Sequence, residues 1–166
     1  LDDQTKREFW EQMDEILLAI PVGGNLVIGG DFNGHVGIDK LGYERVHGRY
    51  GFGDRNEAGE SILDFALASD LVVANTMYKK REEHLITFKS GLVKSQIDYF
   101  LVRKVDRLKC NDCKVIPEES LTSILDLCFK GKHQARKDSG RCRTRWWDLK
   151  GDKLEIFKNR MDKEGT

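Results

Sequence analysis

Asn25-Leu-Val-Ile-Gly-Gly-Asp-Phe-Asn-Gly34 is an apolar strand that runs straight into a polar turn, and the rest of the chain is read outward from it. Leu26, Val27 and Ile28 form a short uncharged run with β-branched residues, the pattern of a strand buried on both faces. Gly29 and Gly30 let the backbone bend or let another group come close. Asp31 and Asn33 follow two residues apart, so a continuing strand would project both to one side, with Phe32 opposite. One carboxylate and one carboxamide would then meet at the lip of a core strand. A carboxylate there can hold a metal or orient a water, and an Asn amide can donate to a phosphate oxygen. The same residue types also favour a simple turn between two elements.

Around this strand the pattern is that of a globular domain. The 166 residues are 39% hydrophobic and 34% charged, one domain's worth of chain with enough length for a real core. Lys+Arg and Asp+Glu are both 28, so the net charge points to no anionic partner. No apolar stretch approaches the roughly 18 residues of a membrane span, and none has the form of a signal peptide, so no membrane partner is expected. Four cysteines scattered through a charged chain suit a reducing compartment inside the cell better than a disulfide framework, and the nucleus is expected over the cytoplasm only on the resemblance given below. The start at Leu1, already in the approach to a helix, reads as a piece of something longer.

Upstream of the strand, Thr5-Lys-Arg-Glu8 fits a capping box. Phe9, Met13, Ile16, Leu17 and Ile20 then recur at helical spacing, and Pro21 stops the run, which predicts a helix from Thr5 to Ile20. Downstream, the stretch from Gly34 through Gly59 holds seven glycines, both ends included, the mark of a long loop. Its two histidines, His35 and His47, read as surface residues. Asn56 can cap a second helix carrying Ile62, Leu63, Phe65, Ala66 and Leu67, and Leu71-Val-Val-Ala-Asn75 predicts a second buried strand. Leu85-Ile-Thr-Phe-Lys89 and Gln96-Ile-Asp-Tyr-Phe-Leu-Val102 predict two more, joined by a turn at Gly91. In the first, Leu85, Thr87 and Lys89 would face one way and Ile86 and Phe88 the other. Asp98 sits within the apolar run of the second; a buried carboxylate needs a partner, whereas one at the start of a strand can be half exposed and bonded to a loop.

Cys113-Lys-Val-Ile116 and Ser123 to Phe129 predict two short strands. The composition then changes. Lys130, Lys132, Arg136, Lys137, Arg141, Arg143 and Arg145 stand against one acidic residue and lead into Trp146-Trp147. Basic residues followed by aromatics suit nucleic-acid contact through phosphate charge and base stacking, and equally suit a solvated linker. Leu154, Phe157 and Met161 predict the start of a helical segment over residues 149–166 that leads to a following domain, with 130–148 as a basic linker. Cys110-Asn-Asp-Cys113 with Cys128 and Cys142 could be read as zinc ligands, but the second pair lacks close spacing. Neither G-x-G-x-x-G nor a Walker pattern is present.

Gly29-Gly-Asp-Phe-Asn33, Ile86-Thr-Phe88 and Ser95-Gln-Ile-Asp-Tyr99 occur in this order. The ordered trio resembles the endonuclease/exonuclease/phosphatase superfamily, with its G-D-F-N motif, its Thr between aromatic or apolar residues, and its S-x-I-D-Y motif. Gly34-His-Val-Gly37, Asn56-Glu-Ala-Gly59 and the Gly-rich loop look like the craniofacial development protein 2-like group and the endonuclease domains of LINE-type non-LTR retrotransposons. Arg145-Trp-Trp-Asp-Leu-Lys150 resembles the linker from such a domain to a reverse transcriptase, a possible C-terminal partner. The resemblance covers about Thr5 to Phe129.

This resemblance implies an α/β (α+β) fold, the C-terminal half of a four-layered α/β sandwich with mixed, mainly antiparallel sheets, over residues 1–129. It implies Mg²⁺- or Mn²⁺-dependent hydrolysis of a phosphodiester in DNA. Asp31 would orient or deprotonate the attacking water and hold the metal weakly, with Asn33 beside it on the scissile phosphate. Thr87 would support the site, and Asp98 would orient the catalytic histidine. Two departures follow. The metal-binding Glu of that superfamily lies in an N-terminal half with no counterpart here. Leu121-Thr-Ser-Ile-Leu-Asp-Leu127 also runs through the place of the S-D-H motif without a histidine, and Asp126 is a poor substitute. His35, His47, His84 and His133 all lie elsewhere. The chain alone is therefore expected to be inactive and marginally stable, with one sheet face uncovered. The alternative is a catalytically dead remnant that binds nucleic acid or protein.

Overall fold

A computed structural model describes residues 3–21, 23–116 and 124–130. The fold is α/β with mainly antiparallel sheets. In chain order it comprises helix α1 (Asp3–Leu18), strand β1 (Val27–Asp31), helix α2 (Glu57–Ala68) and strands β2 (Leu71–Val73), β3 (Phe88–Ser90), β4 (Val93–Ser95), β5 (Asp98–Arg103), β6 (Cys110–Ile116) and β7 (Ile124–Phe129). The basic stretch from Lys132 to Arg145, Trp146-Trp147, the helix expected over residues 149–166, Cys142 and His133 lie outside the described residues.

β5 is the centre of the molecule. Tyr99, Phe100, Leu101 and Val102 are all buried, the signature of a strand with both faces covered. It pairs antiparallel with β1 on one side and β2 on the other. Alternation sends Tyr99 and Leu101 into a core shared with Ile62, Leu63, Phe65 and Ala66 of α2, backed by Trp10, Met13 and Leu17 of α1. Phe100 and Val102 point the other way, where Cys110, Cys113, Val115 and Leu125 of the β6–β7 hairpin cover them. The described residues thus form helices, a three-stranded sheet and a hairpin in layers. The uncovered sheet face expected from the sequence is filled over β5 and β2 by this hairpin.

Several local expectations shift. α1 is already under way at Asp3, so Thr5 lies inside it and the capping box does not mark its start. Trp10 turns inward against Phe65 and Phe32, while Phe9 is 43% exposed. β1 is an edge strand among the described residues and only half-buried, because it has a neighbour on one side and two glycines offer little surface to bury. β2 stops at Val73, and the chain turns into a 3₁₀ helix over Ala74–Met77. Leu85, Ile86 and Thr87 are buried in succession instead of alternating, because a 3₁₀ turn over Glu82–His84 drops the chain into the body. From Phe88 to Lys94 every residue is exposed, so β3 and β4 form a hairpin that stands away from the core.

The Gly-rich segment is a packed structure. Asn56 caps α2 through its Oδ1, which accepts from the N–H of Gly59 at 2.8 Å and of His35 at 2.9 Å. Gly59 lets the loop touch the helix, since any Cβ there would overlap the His35 carbonyl. Gly37 has φ +71° and lies against the backbone of Arg55. The Arg55 guanidinium donates to the carbonyls of Asp39 and Leu41 and sits 4.7 Å over the Tyr43 ring, whose hydroxyl donates to Asp64 of α2 at 2.7 Å.

His47 is the hub of this loop, and its assignment as a surface histidine is corrected. It is 2% exposed. The N–H of Arg49 donates to its Nδ1 at 3.0 Å, so Nε2 carries the proton and donates to the Gly37 carbonyl at 3.0 Å. Burial pushes its pKa below the ordinary 6.5, with Arg55 and Lys40 acting the same way and the Gly37 bond and Asp39 opposing. The folded chain resists the protonation that the unfolded chain accepts, so stability present above pH 6.5 is lost as the pH falls below it. Urea denaturation should show His47→Ala destabilised by about 2–3 kcal/mol at pH 7.5. The gap to wild type should narrow toward pH 5, and a constant gap would refute the role of the neutral ring.

Candidate active site

The register of β1 against β5 sets Asp31 directly opposite Asp98. Asp31 is the last residue of β1 and Asp98 the first of β5, so both carboxylates stand at one end of the sheet. Side chains directly opposite in an antiparallel pair have Cβ atoms about 5 Å apart, and like charges there repel. Both lie on the face of the sheet that the β6–β7 hairpin covers, the side to which Phe100 and Val102 point.

Thr87 is buried at the base of the β3–β4 hairpin. Its Oγ accepts from the backbone N–H of Ile97 at 2.9 Å and of Asp98 at 3.2 Å. Asp98 itself is half-buried. Burial first, and the Asp31 charge in addition, raise its pKa from 3.8 to about 6 against the lowering effect of Thr87.

Asn33 does not continue the strand. Its backbone N–H donates to Asp31 Oδ1 at 2.8 Å and its φ is +49°, an Asx turn that ends β1. The expected side-by-side placement of Asp31 and Asn33 along a strand is therefore replaced by a turn that folds Asn33 back over Asp31. Phe32, between them, faces the helices and stacks on Trp10 with centroids 6.3 Å apart and planes at 14°. The four residues expected to act together, Asp31, Asn33, Thr87 and Asp98, are linked by hydrogen bonds or direct pairing.

Two supports escaped sequence reading. Asn75 reads as the end of a strand, yet its side chain replaces the ladder where β2 has stopped. Its Oδ1 accepts from Phe100 N–H at 2.8 Å and its Nδ2 donates to the Asp98 carbonyl at 3.3 Å. Tyr99 reads as a core aromatic, yet its hydroxyl meets the Gly34 and Gln96 carbonyls and the Val36 N–H. A polar residue closing an apolar run is the only hint of Asn75 in the sequence.

Among the described residues, no group of three or more His, Cys, Asp or Glu side chains is placed to hold a metal ion. The groups brought together are two opposed carboxylates, one oxygen of Asp31 being engaged by the backbone N–H of Asn33. Carboxylate oxygens are the donor type that a hard divalent cation takes. No described histidine bonds either aspartate: His35 meets Asn56 through its backbone, His47 lies in the loop, and His84 Nδ1 donates to the Val115 carbonyl at 2.9 Å. Asp126 pairs with Lys114 across the β6–β7 hairpin and accepts from the Cys128 thiol at 3.7 Å. Cys110 and Cys113 are buried in the second core, where burial raises both thiols above their usual range. Of the seven basic residues expected to contact nucleic acid, Lys130 alone lies within the described part; it is exposed, and its N–H donates to the Lys109 carbonyl.

No family model matches the chain. It is similar to craniofacial development protein 2 from Tragulus javanicus, with 34% identity over 111 residues, 66% of this chain and 19% of that protein. It is similar to craniofacial development protein 2 from Bos taurus at 32% over the same length, 18% of that protein. The chain thus spans about a fifth of the length of the curated relatives it matches.

The Asp98 carboxyl holds its proton more tightly in the folded than in the unfolded chain. Stability therefore falls as the pH rises from 3.8 through about 6, and the penalty is complete above that. Asp98→Asn should be more stable than wild type at pH 7.5 by on the order of 1–3 kcal/mol. Thermal unfolding followed across pH should show the advantage disappearing near pH 4. A destabilised variant at pH 7.5 would overturn this account of the carboxyl pair.

Proposed function

We propose that Asp31, Asn33, Thr87 and Asp98 form a phosphodiester-hydrolysing site of the endonuclease/exonuclease/phosphatase type, in a chain of retrotransposon endonuclease descent whose substrate is DNA. The observation that carries the reading is the opposed pair Asp31 and Asp98 at one end of the sheet, with the Thr87 hydroxyl bonded to the backbone N–H of Asp98. Repelling carboxylates cost stability, and a protein that keeps them together commonly does so for chemistry.

Asp31 is exposed, and Asn33 N–H engages one of its oxygens. The other oxygen is left to orient or deprotonate a water. The Asn33 amide, exposed on the turn, can donate to a phosphate oxygen. Asp98, steadied by Thr87, would accept from the imidazole of a histidine and keep it turned toward the phosphate. Asp31 would hold Mg²⁺ or Mn²⁺, which when bound offsets the charge that builds on the phosphoryl oxygens. The β3–β4 hairpin rises from Thr87 with exposed Lys89, and the basic run from Lys130 to Arg145 follows β7 in the sequence; both suit a nucleic-acid backbone.

The 166-residue chain should not turn over on its own. Among the described residues no imidazole reaches Asp98, and absence of a positioned acid or base commonly costs about 100- to 10,000-fold. The purified chain should leave supercoiled plasmid intact in Mg²⁺, as Asp31→Ala and EDTA controls do. A chimera given a histidine-bearing segment before β7 and an acidic metal ligand from an active homologue should nick, and Asp31→Ala in the chimera should stop it. DNA binding by the unmodified chain that EDTA leaves unchanged, with a folded but inert chimera, would favour a binding module instead.

A further inference from the structure

We infer that Tyr99 is a positioning residue for this site, its hydroxyl locking the turn that carries Asn33 to the strand that carries Asp98. The inference rests on the reading of Asp31, Asn33 and Asp98 as one site. Tyr99 is fully buried. The N–H of Val36 donates to its oxygen at 3.3 Å, and its own proton lies between the carbonyls of Gly34 at 3.1 Å and Gln96 at 2.5 Å. Gly34 is the next residue after Asn33, and Gln96 stands two before Asp98. One phenol therefore ties the backbone of both segments.

The need for such a tie follows from the other bond that shapes the turn. Asn33 N–H donates to Asp31 Oδ1, on the carboxylate that must also meet water and cation. A bond to a working group is a poor anchor, because a ligand on Asp31 competes for the same oxygen. Tyr99 holds the turn from the opposite face of the sheet, since alternation along β5 points it toward the helices and Asp98 away from them. Its hold is independent of what Asp31 binds. Burial also raises the phenol far above its usual range, so it remains a donor at any working pH.

The test is nuclear magnetic resonance of the full labelled chain with Mn²⁺, whose paramagnetism broadens nearby signals. Wild type should lose intensity together at Asp31, Asn33, Gly34 and Asp98, and Asp31→Asn should abolish the effect. In Tyr99→Phe, broadening at Asp98 should persist while that at Asn33 and Gly34 falls. Tyr43→Phe, which also loses a phenol hydrogen bond, should match wild type. Broadening at Asn33 and Gly34 unchanged in Tyr99→Phe would overturn the inference while leaving the site standing. No broadening at the aspartates in wild type would remove the site itself, and the inference with it. Should Tyr99→Phe not fold, the wild-type Tyr99 hydroxyl proton decides: slow exchange and cross-relaxation to Gly34 and Val36, with and without Mn²⁺, support the lock, and rapid exchange refutes it.

Discussion

The register between β1 and β5 is the constraint on which the rest depends. Because side chains alternate, slipping that pairing by one residue would turn the β1 side chains to the opposite face. Asp31 would go into the helix-side core and Phe32 would leave its stack with Trp10. Two apolar faces resist the slip: Tyr99 and Leu101 fit one core and Phe100 and Val102 the other. The geometry of the carboxylates is therefore enforced by burial of their strand neighbours, not by any attraction between themselves.

Around this register the molecule substitutes side chains for missing backbone partners. Asn75 carries the β5 ladder past the end of β2, which frees the chain to turn into a 3₁₀ helix whose Thr76 then receives the loop: Gly48 N–H donates to its Oγ, and Tyr50 N–H to its carbonyl. His47 does the same inside the loop, bridging Arg49 and Gly37. These buried bonds account for a segment that is rich in glycine and yet closely packed.

What could be seen in advance follows from range. The cap at Asn56, both helices and the apolar run of β5 rest on contacts within a few residues, and sequence periodicity reports those well. The opposed placement of Asp31 and Asp98 spans 67 positions in the chain and needs a register that no local pattern encodes. The burial of His47 was hidden because polar and glycine-rich composition is the same for an open loop and for one folded onto itself. Asn33 leaves the strand that its spacing predicts because the Asp31 carboxylate captures its N–H and ends β1, a local competition that alternation does not report. Around Thr87 the alternating strand does not form, because the preceding 3₁₀ turn buries Leu85, Ile86 and Thr87 in succession.

The β3–β4 hairpin has a different kind of consequence. A protease needs a stretch of chain it can lift clear of the body, and the Gly-rich segment, despite its composition, offers little. The hairpin offers Gly91-Leu92, with Leu92 wholly exposed at the tip. A cut there would part Thr87 from Asp98 in the chain while the Thr87 N–H remains bonded to the Ser95 carbonyl across the hairpin base. The folded protein would then consist of two pieces held together by the pairing of β5 with β1 and β2 and by both cores, with Asp98 and its hydroxyl partner Thr87 on opposite fragments.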